Sequence, residues 1–348
     1  RKRWIRVISA VLRYGAFPDA FGATIRKMGN VVEGLIARGR QFDVVFSTAL
    51  PFSQHEVAGC IASKTSALLV LDNRDVWACS TYRRRLPFSD ARERRYEHRV
   101  LAAGDIITTI SDGMTEYFQR HYPDLADRFC TIRNGVDTSA LMQPCSRLEI
   151  GIDAKKGLRI VYTGILYGSK RDIRPVLEAA CDTGLSIAFD FYGSEAEQVA
   201  AFKRQFPTLE IIDHGRVPRA EAMTAQCEAD VLLVGLGGDV AEKTFLPGKF
   251  FEYIGTGRPI IVIADADYEI SQLVKVHNLG ISTRDPVALT SFLKHVFEGH
   301  VIPRREVPKA LTRDYQLGLL ERRILATLAH RAACASRAPE PGMSRESR

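Results

Sequence analysis

No apolar run in this 348-residue sequence approaches the roughly 18 residues that a bilayer-spanning helix needs. Nothing in the chain is therefore expected to cross a membrane. The seven cysteines, at 60, 79, 130, 145, 181, 227 and 334, contain no Cys-x-x-Cys pair. Their scatter and odd number indicate neither a disulfide framework nor a zinc site, and fit a reducing cytoplasm. The eight histidines form no His-Glu-x-x-His or His/Cys cluster at ligand spacing, so neither metal nor cofactor is expected. No Gly-x-Gly-x-x-Gly follows a strand, which argues against a nicotinamide dehydrogenase. The opening Arg1-Lys2-Arg3-Trp4-Ile5 lacks the apolar core and cleavage site of a signal peptide. It also lacks an initiating methionine, so the first domain is expected to be incomplete.

What is present is the composition of a soluble globular protein, 46% hydrophobic and 26% charged. The length favours two domains over one. A net charge of +7 favours anionic partners: a nucleotide diphosphate, a phospholipid surface or a phosphorylated lipid acceptor. The basic residues are not interleaved with stacking aromatics in a recognisable motif, and nucleic acid is not expected.

Apolar spacing predicts helices over Trp4 to Leu12 and Ile25 to Ile36, with no strand before them. A strand over Phe42 to Ser47, a helix over Gln54 to Ser63 and a strand over Ala67 to Leu71 then follow βαβ grammar. Ser89 is a candidate cap for an Arg-rich helix reaching Ala102. A strand at 105–110, a helix at 112–121 and a short strand at 130–133 complete a first domain at 1–145. The domain boundary is placed in the polar stretch 138–157. The second domain, 157–312, shows strands at 159–163, 187–192, 209–212, 231–234 and 260–263, the grammar of a doubly wound parallel sheet. A helix at 313–331 and a Pro/Ser/Arg-rich, disordered tail at 332–348 end the prediction.

Doubly wound sheets bind ligands beyond the carboxyl ends of their strands. Two such turns carry candidate groups. After Tyr162-Thr163, Gly164 lets backbone approach a phosphate, and Lys170-Arg171 at a helix start could bind a diphosphate. A solvated basic pair is the alternative. In the second turn, Pro247, Gly248 and Lys249 open a helix whose first amides could be free. Glu252 then lies where a carboxylate could accept bonds from ribose hydroxyls, or be an ordinary surface glutamate.

The ordered run of Tyr162-Thr163-Gly164, Lys170-Arg171, His214-Gly215-Arg216-Val217, Ala229 to Leu233, and Pro247 to Tyr253 with Gly257-Arg258-Pro259-Ile260-Ile261 resembles the donor domain of the glycosyltransferase group 1 (family 4) enzymes. The likeness continues upstream through Ser47 to His55, Asp72 to Trp77, Ala103-Gly104-Asp105 with Ser111, and Asn134 to Asp137. It implies a GT-B-like fold of two Rossmann-like domains facing a cleft. It further implies transfer of a sugar from a nucleotide-sugar donor to a glycan or lipid-linked acceptor, retaining, in surface polysaccharide or glycoconjugate synthesis. Lys170 and Arg171 would hold the diphosphate, Glu252 the ribose, and Val217 would lie near the base.

Departures from the family pattern are visible too. Thr244 stands where many members carry the first of two paired glutamates, with Glu242 out of register, and Ile165 replaces the usual arginine after the first glycine. Arg74 or Asp75 stands in place of a frequent histidine, and His55 lies one βα unit earlier. These three are the catalytic candidates, and His55 is about as apt to be structural. Asp265 and Asp267 could be a metal-binding Asp-x-Asp, or a solvated turn. Arg83, Arg84, Arg85, Arg92, Arg94, Arg95 and Arg99 concentrate positive charge in the first domain, either as an exposed helix face or as a patch for an anionic membrane or lipid-linked acceptor. Two other functions remain open: a partner-dependent subunit that binds nucleotide sugar without turnover, and a nucleotide-sugar epimerase.

Overall fold

A computed structural model describes residues 17–78, 90–141, 157–167, 170–237, 240–301 and 306–336. The helix expected at Trp4 to Leu12, the Ser89 cap and Arg83 to Arg85 lie outside these residues. The chain divides into two compact units: residues 1–110, 115–132 and 317–348, and residues 111–114 with 133–316. The division thus falls at 132/133, ahead of the polar stretch 138–157 where the sequence placed it. The C-terminal helix contributes to both units.

In the first unit, strands β1 (Val44–Ala49), β2 (Leu68–Asn73), β3 (Ile106–Thr109) and β4 (Phe129–Thr131) form a parallel sheet in sequence order. Helices α1 (Gly22–Ala37), α2 (Ser53–Thr65), α3 (Asp90–Leu101) and α4 (Asp112–His121) intervene. All six residues of β2 are buried, as expected where a parallel strand is covered on both faces. One cover is the last helix, α11 (Arg313–Ser336), whose Leu320, Ile324 and Leu328 recur every four residues and pack on Leu68, Val70 and Ile106. Because α11 runs to Ser336, the expected disordered tail is helical over its first five positions, 332–336.

The second unit is a six-stranded parallel sheet in the order β10-β9-β8-β5-β6-β7. Its strands are β5 (Leu158–Thr163), β6 (Ile187–Tyr192), β7 (Glu210–Gly215), β8 (Val231–Gly235), β9 (Ile260–Ile263) and β10 (Gly280–Ser282). The helices are α5 (Arg174–Thr183), α6 (Ala196–Gln205), α7 (Arg219–Glu228), α8 (Gly248–Thr256), α9 (Glu269–Val276) and α10 (Pro286–Phe297). Strand residues alternate between two cores: Ile160, Phe189, Leu233 and Ile261 face one way, Val161, Leu232, Val234 and Val262 the other. Covering both faces is what makes β8 and β9 read as unbroken apolar runs. The strand order reverses between β5 and β8, the position at which doubly wound sheets bind ligands beyond their strand ends.

Two local differences from the sequence reading bear on the site. Lys170 and Arg171 do not begin a helix, because α5 starts at Arg174 with Pro175 in its first turn. Cys227 is disulfide-bonded, whereas Cys60, Cys130, Cys181 and Cys334 are free thiols. The sequence reading indicated no disulfide framework, and among the described cysteines Cys227 alone is paired. No helix of the described residues is long and apolar enough to cross a membrane.

Candidate functional site

The carboxyl end of β5 is the centre of the arrangement. Gly164 follows it with φ +98°, a left-handed conformation that an L side chain resists. An added Cβ there would lie 3.8 Å from Lys249 Nζ, so the glycine leaves the space into which that amine projects. Lys249, in the first turn of α8, donates to the Thr163 carbonyl at 2.9 Å. Its ammonium also sits 3.6 Å over the Tyr162 ring, a cation–π contact. Burial lowers the Lys249 pKa well below the ordinary lysine value, and repulsion from Arg171 adds to this against the fields of Glu242 and Glu252. Lys249 is therefore a partly buried amine whose charged form burial and Arg171 disfavour and Glu242 and Glu252 favour.

Helix α8 carries the next group as well. Lys249 and Glu252 are three residues apart and share one face. Glu252 accepts from Arg219 at 2.9 Å and from Gln226 Nε2 at 3.4 Å. The same Gln226 nitrogen donates to Thr163 Oγ1 at 3.2 Å, and the Tyr253 hydroxyl accepts from the Thr163 amide at 2.9 Å. Glu252 is thus held at the β5 edge by α7. Pro247 caps α8 with extended backbone and no side-chain cap, which leaves its first-turn amides without a side-chain acceptor. Val217, in the loop between β7 and α7, packs against the core that α8 completes.

On the other side, Arg171 is buried at 6% exposure between the rings of Tyr167 and Phe245, 4.7 and 5.4 Å from its guanidinium. It lies 3.8 Å from Glu242, which also accepts from the Gly237 amide at 3.3 Å. Burial raises the Glu242 pKa. The solvated basic pair weighed from the sequence is therefore replaced, at Arg171, by a buried ion pair. Gly237 at the end of β8 has no room for a side chain, since a Cβ would come within 2.8 Å of the Lys170 carbonyl. This packs the Lys170 turn against β8, across the point where the strand order reverses.

Sequence reasoning missed Tyr162, Arg219, Gln226 and Glu242 as members of this constellation. Tyr162 stands in the Tyr162-Thr163-Gly164 run that the sequence reading quoted, but its ring contact with Lys249 was not foreseen. The other three lie on helices whose facing no single-sequence pattern fixes. Asp265 and Asp267 turn to separate cations, Arg284 at 3.1 Å and Lys243 at 2.6 Å, an arrangement unlike a shared metal site.

The three catalytic candidates lie in the first unit. His55 is fully buried with Nδ1 2.9 Å from Ser47 Oγ. Burial lowers its pKa to about 4, partly offset by Asn73 and Asp72. A base that weak, with no exposed atom, suits a structural role better than proton abstraction. Arg74 is exposed and donates to Asp72 at 2.9 Å. Asp72 is buried and also accepts from Thr48 and Thr108, at 2.8 and 2.7 Å. Asp75 is exposed, and partial desolvation of its carboxylate by the surrounding chain raises its pKa.

No protein-family model and no curated protein matches the sequence. Solved structures do match its fold. A lipopolysaccharide outer core galactosyltransferase, WaaB in its apo form, aligns at 11% identity with a TM-score of 0.54, over 87% of this chain and 79% of that one. Anabaena HepE in complex with UDP aligns at 12% identity and TM-score 0.55, over 90% and 81%. The UDP-GlcNAc 2-epimerase of Methanocaldococcus jannaschii aligns at 13% and 0.52, over 90% and 83%. The chain has the GT-B glycosyltransferase-like fold.

Proposed function

We propose that the chain is a nucleotide-sugar-dependent glycosyltransferase whose donor lies at the carboxyl edge of the six-stranded sheet. The observation that carries this reading is the Lys249 ammonium, desolvated and poised over Gly164 beside the uncapped start of α8. A diphosphate there adds negative charge beside the amine, and the helix amides supply donors. Lys170 and Arg171 flank the same edge, Glu252 is placed to accept from the ribose hydroxyls, and Val217 borders the base. Departure of a nucleoside diphosphate builds charge that fixed cations and amides stabilise without reorganising. A front-face, retaining displacement asks for little beyond this and for positioning, which suits a chain whose His55 is a poor base.

The acceptor is taken to be a glycan or lipid-linked saccharide of surface polysaccharide or glycoconjugate synthesis, handled by the first unit at a cytoplasmic membrane face. That HepE structures are recorded with UDP, UDP-glucose, and UDP plus glucose supports the choice of donor class. The epimerase among the structural neighbours keeps a second reading in view. Incubation with a panel of nucleotide sugars, followed by NMR analysis of the products, separates the two. Transfer to added saccharide, or slow hydrolysis releasing nucleoside diphosphate with the sugar's stereochemistry intact, is expected. Conversion of the donor to its epimer with no acceptor present would establish the alternative, and binding without turnover a partner-dependent subunit.

A further inference from the structure

A second cationic site lies within the first unit, unrelated to the residues above. Helices α1, α2 and α3 line an open groove of about 470 Å³ bordered by the exposed side chains of Arg26, Arg92, Arg95 and Arg99. Three of the four come from one face of α3: positions 92, 95 and 99 follow the i, i+3, i+7 spacing that stacks side chains along a helix. Two of them are held by aromatic faces. Arg92 lies 4.2 Å from the centroid of Phe17, and Arg99 lies 5.0 Å from that of Tyr96.

Among the described residues, Glu56 is the carboxylate in the lining and Asp19 stands beside it at Ser53, and both are in use. Asp19 accepts from the amide and hydroxyl of Ser53 and from the Phe21 amide. Glu56 accepts from the Tyr96 hydroxyl at 2.8 Å and stands 3.6 Å from Arg99. Four guanidiniums against two carboxylates leave the groove with excess positive charge.

We propose that this groove binds a phosphate or diphosphate group carried by an organic ligand. The argument is one of matching. A carboxylate has one charge and satisfies one guanidinium fork, whereas a phosphoryl group carries up to two charges and offers three acceptor oxygens to several forks at once. The volume exceeds what an inorganic ion fills, and Phe17, Val57 and Tyr96 supply an apolar wall for the remainder of the ligand.

The test uses the full chain carrying Lys249→Gln, so that the edge of the second sheet does not contribute, and titrates inorganic pyrophosphate by calorimetry. Binding is expected, and Arg92→Gln with Arg95→Gln should weaken it by about tenfold per guanidinium removed. Both side chains are exposed, and an unchanged thermal melt verifies that the double variant is folded. Co-sedimentation with phosphatidylglycerol vesicles, against vesicles of phosphatidylcholine alone, then identifies the source. Arginine-dependent pelleting that pyrophosphate reverses assigns a lipid headgroup, and pyrophosphate binding without pelleting assigns a soluble phosphorylated ligand. Absence of pyrophosphate binding, or equal affinity in the arginine variant, overturns the proposal whatever the outcome at Lys249.

Discussion

Lys249 is the residue on which the proposed donor site turns, and its chemistry makes a distinctive prediction. Its pKa is lowered by burial and by Arg171, so bringing a diphosphate against it raises that pKa back toward the ordinary value. Between the lowered and restored values, binding must take up a proton. Affinity therefore falls as pH rises through that interval. Calorimetric titrations in buffers of different ionisation enthalpy should show net proton uptake by the wild type and none by Lys249→Gln at this position. Glu252→Gln tests the neighbouring role. It keeps the size of the side chain but replaces a charged acceptor, and should weaken nucleoside diphosphate binding by the 1.5 to 3 kcal/mol typical of hydrogen bonds to charged groups, about ten- to a hundredfold. An unchanged affinity would remove Glu252 from the ribose.

At the scale of elements, two features can be probed independently of function. Glu97 of α3 is buried, accepting from the Ala78 amide at 3.0 Å and the Tyr122 hydroxyl at 2.5 Å. It thereby ties α3 to the segment after β2 and to the end of α4. Burial raises its pKa to about 7, against the hydrogen bonds that lower it. A carboxyl raised in the folded state stabilises fully below its unfolded value near 4.5, and that contribution is lost as pH rises toward about 7. Glu97→Gln should abolish this slope, a difference of about 3 kcal/mol at most across the interval, measurable as urea midpoints at several pH values. In the second sheet, Leu233→Ala empties a fully buried position of β8 and should cost about 2 to 5 kcal/mol. It would appear as a lower urea midpoint at an unchanged slope.

The elements also show which signals single-sequence reading can use. β8 and β9 were legible because a parallel strand covered on both faces is apolar throughout. β10 was not, since Gly280–Ser282 is three residues with partly buried side chains and no pattern. Placing Lys170 and Arg171 on a helix overlooked Pro175, which marks the first turn of α5. Lys249, Gly164 and Glu252 could be singled out as candidates because they sit at a strand end and a helix start, where ligand groups recur. The burial of Arg171, the seclusion of His55 and the pairing of Cys227 were not, because each depends on contacts between segments far apart in sequence.

For the whole molecule, the strand order of the second unit determines where chemistry can occur. The order reverses between β5 and β8, and beside that point stand Gly164, Lys249 and Glu252, the last held by Arg219 and Gln226. The claim that this edge grips a nucleoside diphosphate is tested most directly by a thermal-shift titration against uridine, guanosine, adenosine, cytidine and thymidine diphosphates, run in parallel on the wild type and Lys249→Gln. At a hundred times its dissociation constant, the preferred nucleotide should add about 2.7 kcal/mol of stability to the wild type, and that gain should vanish in the variant. No gain with any of the five, or an equal gain in both proteins, would contradict the account.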